Sequence, residues 1–350
     1  MEHSQREEIQ KKLLEWFKRN KRDLPWRKTK DPYAIWVSEM MLQQTQVETV
    51  IPYYKNFLST FPTLQHLAEA NLSEVLKVWE GLGYYSRARN LHRAAKMVLN
   101  RFQGEIPNSL NALLGLPGIG RYTAGAILSI AFNQEAPILD GNVKRVLARL
   151  FAISKNPKKK ETEDLLWKIS ESLIPKNRAR FFNQALMDLG AMICTPKRPI
   201  CFSCPLSPLC KGYLSGAPEH FPPPFNKRKI PQRRGMVAII QRDGKVLLQQ
   251  RPLNGFLGGL WEFPNWQTNE RGLERVRLRN EIKKEMGLNV EVKGLMGTFQ
   301  QTYSHFKLTL HAFYCQPLGK KKKGRWVSIN QLDRLPMSRI HRKIAYTLNR

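Results

Sequence analysis

The stretch that decides the fold runs from Leu116 to Ile127 and reads LPGIGRYTAGAI. Gly118 and Gly120 come immediately before a run of residues that favours a helix. Glycines at such a turn are expected to adopt positive φ and to bring the backbone close to another molecule. The amides of the turn and of the following helix then form a phosphate site, beside the basic Arg121. The pattern is also typical of an ordinary helical hairpin, and that interpretation stays open.

A lone carboxylate, Asp140, follows Gly120 by twenty residues in the segment ILDGNVKRVLARL (Ile138–Leu150). Gly141 and Asn142 come directly after it. An Asp in this context often only caps a helix or makes a turn. The segment by itself therefore leaves the role of Asp140 undecided.

A second carboxylate, Glu39, lies upstream inside the apolar helical run IWVSEMMLQQT (Ile35–Thr45). Its helical neighbours three residues away are Trp36 and Leu42. Desolvation there would raise the pKa of Glu39 and favour its neutral form, which can act as a general acid near pH 7. The alternative is a surface glutamate on an amphipathic helix.

The composition indicates a polyanionic partner. The 350 residues include 58 Lys and Arg against 28 Asp and Glu, which gives a formal net charge of +30. Solubility does not require so one-sided a surface, so nucleic acid is the favoured partner. The N-terminal segment is charged and amphipathic, and no signal peptide or long transmembrane run is recognisable. We therefore expect a cytoplasmic, nucleoid-associated protein without a membrane partner, in a reducing compartment.

The hydrophobic pattern and composition of the sequence change near residue 216. Residues 1–215 show apolar residues at helical spacing, with prolines at plausible helix ends. Prolines and charges then predict a linker over 216–234. Residues 235–350 are predicted to form an α+β domain, with strands over 236–241, 245–250, 290–292, 297–302 and 306–314, and helices over 272–286 and 337–348. Asp243-Gly244 predicts a hairpin, and the run Lys320–Lys323 is interpreted as a solvated or phosphate-facing loop.

Four of the five cysteines fall together with the spacing C-x6-C-x2-C-x5-C. They are Cys194, Cys201, Cys204 and Cys210. In a reducing compartment such a group predicts a soft metal site, and the spacing leaves both zinc and an iron–sulfur cluster open. Lys197 and Arg198 lie between the first two cysteines and are predicted to contact phosphate. Cys315 is interpreted as a small core residue.

These motifs together resemble the helix-hairpin-helix DNA glycosylases, and within them the MutY-type adenine DNA glycosylases. The resemblance extends through LPWR (Leu24–Arg27), SEMMLQQTQV (Ser38–Val47), GLGYYSRARNL (Gly81–Leu91), the hairpin, LDGNVKRV (Leu139–Val146) and the cysteine loop, and continues into the C-terminal domain. It implies an all-α glycosylase body with a [4Fe-4S] cluster on the four cysteines, followed by an α+β Nudix-like domain. The implied division is 1–25 and 139–215 for the cluster domain, 26–138 for the six-helix domain, 216–234 for the linker and 235–350 for the Nudix-like domain.

The resemblance also implies roles for individual residues. Glu39 would protonate a flipped-out adenine, and Asp140 would stay ionised and stabilise the sugar cation or attack it, with Tyr122 and Asn142 assisting. Gln44 and Tyr84 would enter the base stack, while Gly118, Gly120 and Arg121 would hold the DNA backbone. The implied base-pocket residues are Trp26, Arg27, Leu42 and Gln184. Tyr122 stands where lyase-active relatives of the endonuclease III type carry a lysine, so a monofunctional enzyme is expected.

The C-terminal domain resembles the Nudix fold, but its Mg²⁺ helix departs from the pattern R-E-x-x-E-E-x-G. Asn280 replaces the arginine, and Lys284 replaces one metal-binding glutamate. The domain is therefore interpreted as a reader of 8-oxoguanine through Tyr303, Ser304, His305 and Phe306, and Lys284 argues against a nucleotide hydrolase.

The expected partner is double-stranded DNA with adenine opposite 8-oxoguanine or guanine, bound by a monomer. The other interpretations are a glycosylase with lyase activity and a non-enzymatic iron–sulfur DNA-binding protein.

Overall fold

The computed structural model describes residues 2–223, 230–268, 274–319 and 324–348. The run Lys320–Lys323 and residues 224–229 of the predicted linker lie outside the described residues. The chain divides into two compact units, and each takes residues from two segments. The helical unit comprises Met1–Glu69 and Asn90–Asn226, and the sheet unit comprises Ala70–Arg89 and Lys227–Arg350. The predicted subdivision of the helical part into six-helix and cluster domains stays a prediction.

Residues 2–223 contain no strand, so the predicted all-α character of this part is confirmed. Its helices are α1 (His3–Asn20), α2 (Pro32–Leu42), α3 (Val47–Thr60), α4 (Leu64–Glu69), α5 (Leu72–Val78), α6 (Ser86–Arg101), α7 (Leu110–Leu114), α8 (Arg121–Phe132), α9 (Gly141–Leu150), α10 (Lys160–Ser172), α11 (Ala179–Asp188) and α12 (Lys211–Leu214). No helix among the described residues is long and apolar enough to cross a membrane.

The core of the helical unit forms around α2 and α8, which are apolar on all sides and pack against each other. Asp31 begins α2, because its carboxylate accepts hydrogen bonds from the backbone N–H groups of Tyr33 and Ala34 at 3.0 and 3.3 Å. Helix α8 is followed by α9, and α11 packs against α1, α8 and α9. Buried side chains such as Leu13, Leu147 and Phe182 fill the space between these helices.

The glycine turn that precedes α8 agrees with the sequence prediction at only one of its two glycines. Gly118 has φ +82°, and a Cβ there would lie 2.7 Å from Cβ of Asn90, so this turn requires glycine. Gly120 has φ −95° and ψ 176°, which is extended backbone that any residue can adopt. The expectation of positive φ at Gly120 is wrong, because the left-handed step of the turn is completed at Gly118. A Cβ on Gly120 would meet no atom within 4 Å.

The sheet unit is built on a mixed sheet with the strand order β3-β2-β1-β6-β5, in which β4 pairs with β1 and β7 with β2. Among the strand pairs in the described part of the chain, the central β1–β6 pair is parallel and the others are antiparallel. The strands are β1 (Gln232–Arg242), β2 (Lys245–Gln250), β3 (Trp261–Glu262), β4 (Asn265–Gln267), β5 (Val290–Thr302), β6 (Lys307–Pro317) and β7 (Arg325–Ser328), with helices α13 (Glu274–Met286) and α14 (Arg339–Leu348).

The alternation along β1 sends its side chains into two separate cores. Val237 and Ile239 pack with Ile340 and Ile344 of α14, whereas Met236 and Ala238 belong to the cluster that contains Leu278 and Ile282 of α13. The predicted α+β architecture is thus confirmed.

The predicted strands differ from the observed ones in detail. Asp243 and Gly244 have φ of +49° and +68° and join β1 to β2, as the hairpin motif predicts. The two strands predicted within residues 290–302 form the single strand β5, whose pairing with β6 shifts in register near Leu295. Strands β3, β4 and β7 were not predicted, because runs of two to four residues carry too little alternation to be recognised.

Candidate active site

A cavity of about 640 Å³ in the helical unit brings together the predicted catalytic and base-pocket residues. It opens between the end of α2, the start of α8 and the start of α9. Its lining includes Glu39, Tyr122, Asp140, Asn142, Trp26, Arg27, Leu42, Gln184, Gln44 and Gly120. The volume is typical of a site for a small molecule or a single nucleobase.

Glu39 lies at the cavity wall and is only 3% exposed. Its Oε2 accepts a hydrogen bond of 2.9 Å from the Tyr122 hydroxyl. Burial raises the pKa of Glu39 to about 7, and this rise outweighs the lowering by the Tyr122 hydrogen bond; the charge of Asp140 raises the pKa further and that of Arg27 lowers it. Glu39 is therefore buried, as the apolar run predicts, and the surface interpretation is wrong.

Asp140 lies on the same cavity at the N-terminus of α9. Its Oδ1 accepts a hydrogen bond of 2.7 Å from the Val143 N–H, so it is also the helix cap that the sequence left open. Burial raises the pKa of Asp140 above its ordinary value, although hydrogen bonds from the Val143 and Asn142 amides and the charge of Arg145 lower it. The cap and the α9 dipole oppose the rise by favouring the ionised form.

Asn142 is held beside Asp140 by Arg145. The Arg145 guanidinium donates to Asn142 Oδ1 at 2.8 Å, and it also donates to the carbonyl oxygens of Gly190 and Cys194 at 2.7 Å each. The amide orientation of Asn142 is therefore tied to the turn after α11 and to the start of the cysteine loop.

The base-pocket residues have defined supports. Arg27 makes a paired hydrogen bond to the fully buried Asp188, which also accepts from Nε of Arg22 at 2.7 Å. Trp26 is 6% exposed and packs edge-on against Tyr54, with the two ring centroids 5.4 Å apart. Gln184 is 7% exposed and bonds the Arg180 carbonyl at 3.1 Å.

Sequence reasoning missed several residues of this site. Asp188 orients Arg27 through their paired hydrogen bond. Gln43 donates to Thr123 Oγ1 at 3.2 Å, and both Gln43 and Thr123 line the cavity. Gly190 approaches Asn142 so closely that a Cβ would lie 2.7 Å from Cβ of Asn142. Asp188 and Gly190 are distant in sequence from Arg27 and Asn142, so no local pattern could have revealed these contacts.

The two residues predicted to enter the base stack share an uncommon backbone conformation. Gln44 has φ +57° and Tyr84 has φ +47°, and both side chains are exposed. Non-glycine residues with positive φ are uncommon and are enriched at functional sites. Gln44 lies on the cavity of the helical unit, whereas Tyr84 belongs to the sheet unit.

The predicted phosphate contacts lie outside the cavity, except Gly120. Arg121 is exposed and its guanidinium lies over the Trp167 ring, 4.2 Å from the centroid. Lys197 and Arg198 are exposed on the loop between Cys194 and Cys201, and the Arg198 N–H donates to Glu219 at 2.6 Å. Their roles toward DNA stay predictions.

The four cysteines of the loop come close enough to influence one another. Burial, followed by the charges of Cys194, Cys210 and Cys201, raises the pKa of Cys204 to about 12, although a Leu206 amide hydrogen bond lowers it. The Arg149 guanidinium donates to Cys194 Sγ at 3.4 Å. No three His, Cys, Asp or Glu side chains in the described part of the chain are grouped so that they could hold a metal ion. The four thiols therefore share one short loop in which they affect one another's pKa.

The predicted lesion-reading residues form the turn between β5 and β6. The Tyr303 N–H donates to the Phe306 carbonyl at 2.8 Å, and both rings pack against Phe256. Ser304 and His305 are exposed at the tip, where Ser304 Oγ lies 3.2 Å from His305 Nδ1. The turn therefore presents a hydroxyl and an imidazole on a rigid aromatic base.

The helix α13 carries the altered Mg²⁺ motif. Glu285, one of its remaining carboxylates, accepts a hydrogen bond of 2.8 Å from Trp266 Nε1. Cys315 is 3% exposed within the core that faces this helix, as predicted.

Comparison with known proteins matches both halves of the chain. Residues 37–172 match the HhH-GPD superfamily base excision DNA repair protein model, and residues 235–346 match the NUDIX domain model. An adenine DNA glycosylase of Buchnera aphidicola subsp. Baizongia pistaciae (strain Bp) is 39% identical over 340 residues, which cover 96% of this chain and 90% of that protein. The chain belongs to the adenine DNA glycosylase family. The predicted MutY-type resemblance is thereby confirmed.

Two further relatives agree with this family assignment. The human adenine DNA glycosylase is 38% identical over 358 residues, and the match covers 86% of this chain and 65% of that protein. The solved structure of a thermostable thymine-DNA glycosylase is 33% identical, with a TM-score of 0.56, and the match covers 61% of this chain and 98% of that chain. That neighbour supports the glycosylase fold of the helical part.

Proposed function

We propose that this protein removes adenine mispaired with 8-oxoguanine or guanine from double-stranded DNA, by hydrolysing its N-glycosidic bond. The single observation that carries the proposal is a buried acid with a pKa of about 7, Glu39, on the same cavity as Asp140. Glycosidic cleavage requires one protonated and one ionised carboxyl group, and Glu39 and Asp140 are proposed to take these two states.

The first step is extrusion of the adenine from the duplex. Flipping a base costs a few kcal/mol of stacking and pairing energy. Gln44 and Tyr84 are exposed with positive φ and would occupy the space that the base leaves. The extruded adenine would enter the cavity lined by Trp26, Leu42 and Gln184.

Bond cleavage would begin with proton donation by Glu39. A neutral purine with no added proton is a poor leaving group, so protonation of the adenine, at N7, lets the C1′–N9 bond break with its electron pair going to the base. The Tyr122 hydroxyl donates to Glu39 Oε2 and fixes that carboxyl group in the cavity wall.

The second carboxylate would balance the charge that develops on the sugar. Ionised Asp140 would stabilise the C1′ cation or form a bond to it, and water would then complete hydrolysis. Asn142, held by Arg145, would assist beside the sugar. Tyr122 has no amine and cannot form an imine with the sugar, so base release without strong strand cleavage is expected.

The cysteine loop is proposed to hold a [4Fe-4S] cluster. Four gathered thiols, three of them with pKa raised mainly by burial, are a soft donor set whose protons a positively charged cluster can replace. Such a cluster would be structural and would fix the loop that carries Lys197 and Arg198. We expect anaerobically purified protein to be brown and to contain iron and sulfide; colourless protein with stoichiometric zinc would contradict this assignment.

The sheet unit is proposed to read the lesion through Ser304 and its neighbours, with the enzyme acting as a monomer in the bacterial cytoplasm, at the nucleoid. Lys284 opposes Mg²⁺ binding on α13, which argues for recognition rather than nucleotide hydrolysis.

The test is an end-labelled duplex with adenine opposite 8-oxoguanine, analysed with and without hot alkali. We expect strand breaks only after alkali, and Glu39→Gln should lower the single-turnover rate by about 10²- to 10⁴-fold while duplex binding is retained. Strand scission without alkali at the rate of base release would favour the lyase alternative. A Glu39→Gln variant as fast as the parent would exclude Glu39 as the acid.

A further inference from the structure

The loop between α5 and α6, residues 79–85, carries Tyr84 and is here called the Tyr84 loop. It is joined to the C-terminal residues of the sheet unit by a largely buried ion pair. The Arg342 guanidinium donates to both carboxylate oxygens of Glu80, from Nε at 2.7 Å and from a terminal nitrogen at 3.1 Å. The two side chains are 9% and 13% exposed. A paired geometry of this kind holds position and orientation, which a single ammonium contact would not.

Arg342 is itself fixed by its own side of the sheet unit. It donates to the carbonyl oxygens of Leu332 and Leu335 and to the carboxylate of Asp333, which is 60% exposed. These acceptors lie just before α14 and hold the guanidinium plane in place. Arg342 therefore donates its two hydrogen bonds to Glu80 in a fixed orientation.

Further contacts attach the end of the loop and the start of α6. Tyr85 Oη donates to the Met337 carbonyl at 3.4 Å, and Arg89 of α6 donates to the carbonyl oxygens of Gly258 and Gly255, between β2 and β3, at 2.8 and 3.4 Å. The loop therefore contacts the C-terminal residues on both sides of Tyr84, through Glu80 and Tyr85.

Inside the loop, further contacts restrict the backbone around Tyr84. Gly81 and Gly83 have φ of +97° and +79°, and the Gly83 carbonyl accepts from Trp79 Nε1 and from Arg87, both at 3.1 Å. The Arg87 guanidinium also lies over the Tyr84 ring, 5.3 Å from the centroid. A shift at Glu80 would thus be transmitted to Tyr84 through a short, tightly bonded turn.

We propose that Arg342 is a positioning residue for base flipping: through Glu80 it fixes the Tyr84 loop, whichever base lies opposite the adenine. This inference rests on the proposed function, because it takes Tyr84 as the residue that fills the vacated stack. It assigns to the C-terminal residues a contribution to excision that is separate from lesion reading.

The test compares Glu80→Gln with Asp333→Asn in the full chain. Each variant removes the charge of one carboxylate that contacts Arg342, but only Glu80 belongs to the loop. Arg342 keeps three acceptors in Glu80→Gln, so the fold is expected to persist, and thermal melts set an assay temperature below every transition. Single-turnover adenine release is measured opposite 8-oxoguanine and opposite guanine, and flipping is followed by the fluorescence of 2-aminopurine at the target position.

We expect Glu80→Gln to slow flipping and release by about 5- to 50-fold on both duplexes, and Asp333→Asn to change them by less than about two-fold, as for an exposed ion pair. In a Tyr84→Ala background, Glu80→Gln should have little additional effect, since it acts through Tyr84.

Equal rates for Glu80→Gln and Asp333→Asn would overturn the inference, as would effects of Glu80→Gln and Tyr84→Ala that simply multiply. A loss seen only opposite 8-oxoguanine would assign Glu80 to lesion reading and would also contradict it. A parent protein that releases no adenine at all would contradict the proposed function instead, so the two failures are distinguishable.

Discussion

At the scale of single residues, the proposed chemistry depends on one carboxylic acid, Glu39, whose pKa is raised to about 7. Burial is the largest contribution to the raised pKa of Glu39, and its partner Tyr122 opposes it. Burial also raises the pKa of Asp140, although hydrogen bonds from backbone amides at the N-terminus of α9 oppose the rise. The two carboxyl groups differ in their surroundings, because Glu39 lies inside an apolar helix and Asp140 caps a helix N-terminus.

The pKa of Glu39 predicts the pH dependence of base release. Because the acid must be protonated to act, the single-turnover rate should be high below about pH 7 and fall up to ten-fold per unit above it. Tyr122→Phe removes the hydrogen bond that lowers this pKa, so the fall should move upward by about half to one pH unit. Rates measured from pH 5.5 to 9 test both statements; a profile that rises with pH would contradict the acid role.

At the scale of elements, the site is formed where helix ends meet. The end of α2 carries Glu39 and Leu42, the start of α8 carries Tyr122, and the start of α9 carries Asp140 and Asn142. Close approach of the turn after α11 then fixes Asn142. A Cβ at Gly190 would lie 2.7 Å from Cβ of Asn142 and 3.2 Å from its backbone, which cannot easily move.

Gly190→Ala is therefore expected to displace Asn142 and Asp140 from the sugar site. Over-packing of this kind costs about 1–3 kcal/mol, and we expect a comparable increase in the barrier to excision, which slows the rate about ten-fold or more. Gly115→Ala is the matched control, since its Cβ would meet only an ordinary contact at 3.4 Å and its φ is −72°. Single-turnover rates and thermal melts of both variants give the comparison; equal rates would show that Asn142 tolerates the displacement.

At the scale of the whole molecule, sequence order and compact units do not coincide. Residues 70–89 lie between two segments of the helical unit but belong to the sheet unit. Removing the C-terminal domain would therefore also strip the contacts of the Tyr84 loop. Lesion reading has to be tested by point substitution in the full chain.

Ser304→Ala removes the hydroxyl exposed at the tip of the turn between β5 and β6. If Ser304 hydrogen-bonds the lesion, the preference for adenine opposite 8-oxoguanine over adenine opposite guanine should shrink by about 1–3 kcal/mol, or roughly 5- to 150-fold. The rate opposite guanine is the internal control and should stay near that of the parent. An unchanged preference would mean that this hydroxyl does not read the lesion.

The sequence by itself predicted the residues that the structure brings together on one cavity and most of the elements that hold them. An acid inside an apolar helical run is buried wherever that helix packs, so Glu39 was predictable from local pattern alone. The turn before α8 and the hairpin at Asp243-Gly244 were likewise local, because their geometry depends on glycine and its neighbours.

Only the tertiary structure decided the contacts between residues distant along the chain. Three such contacts join residues at least 48 positions apart: the ion pair of Asp188 with Arg27, the close approach of Gly190 to Asn142, and the ion pair of Arg342 with Glu80. Such contacts depend on how helices and sheet pack, and a hydrophobic pattern does not record which polar groups packing brings together. The raised pKa of Glu39 was predictable from the apolar run around it, whereas the opposing hydrogen bond of 2.9 Å from the Tyr122 hydroxyl depends on the folded chain.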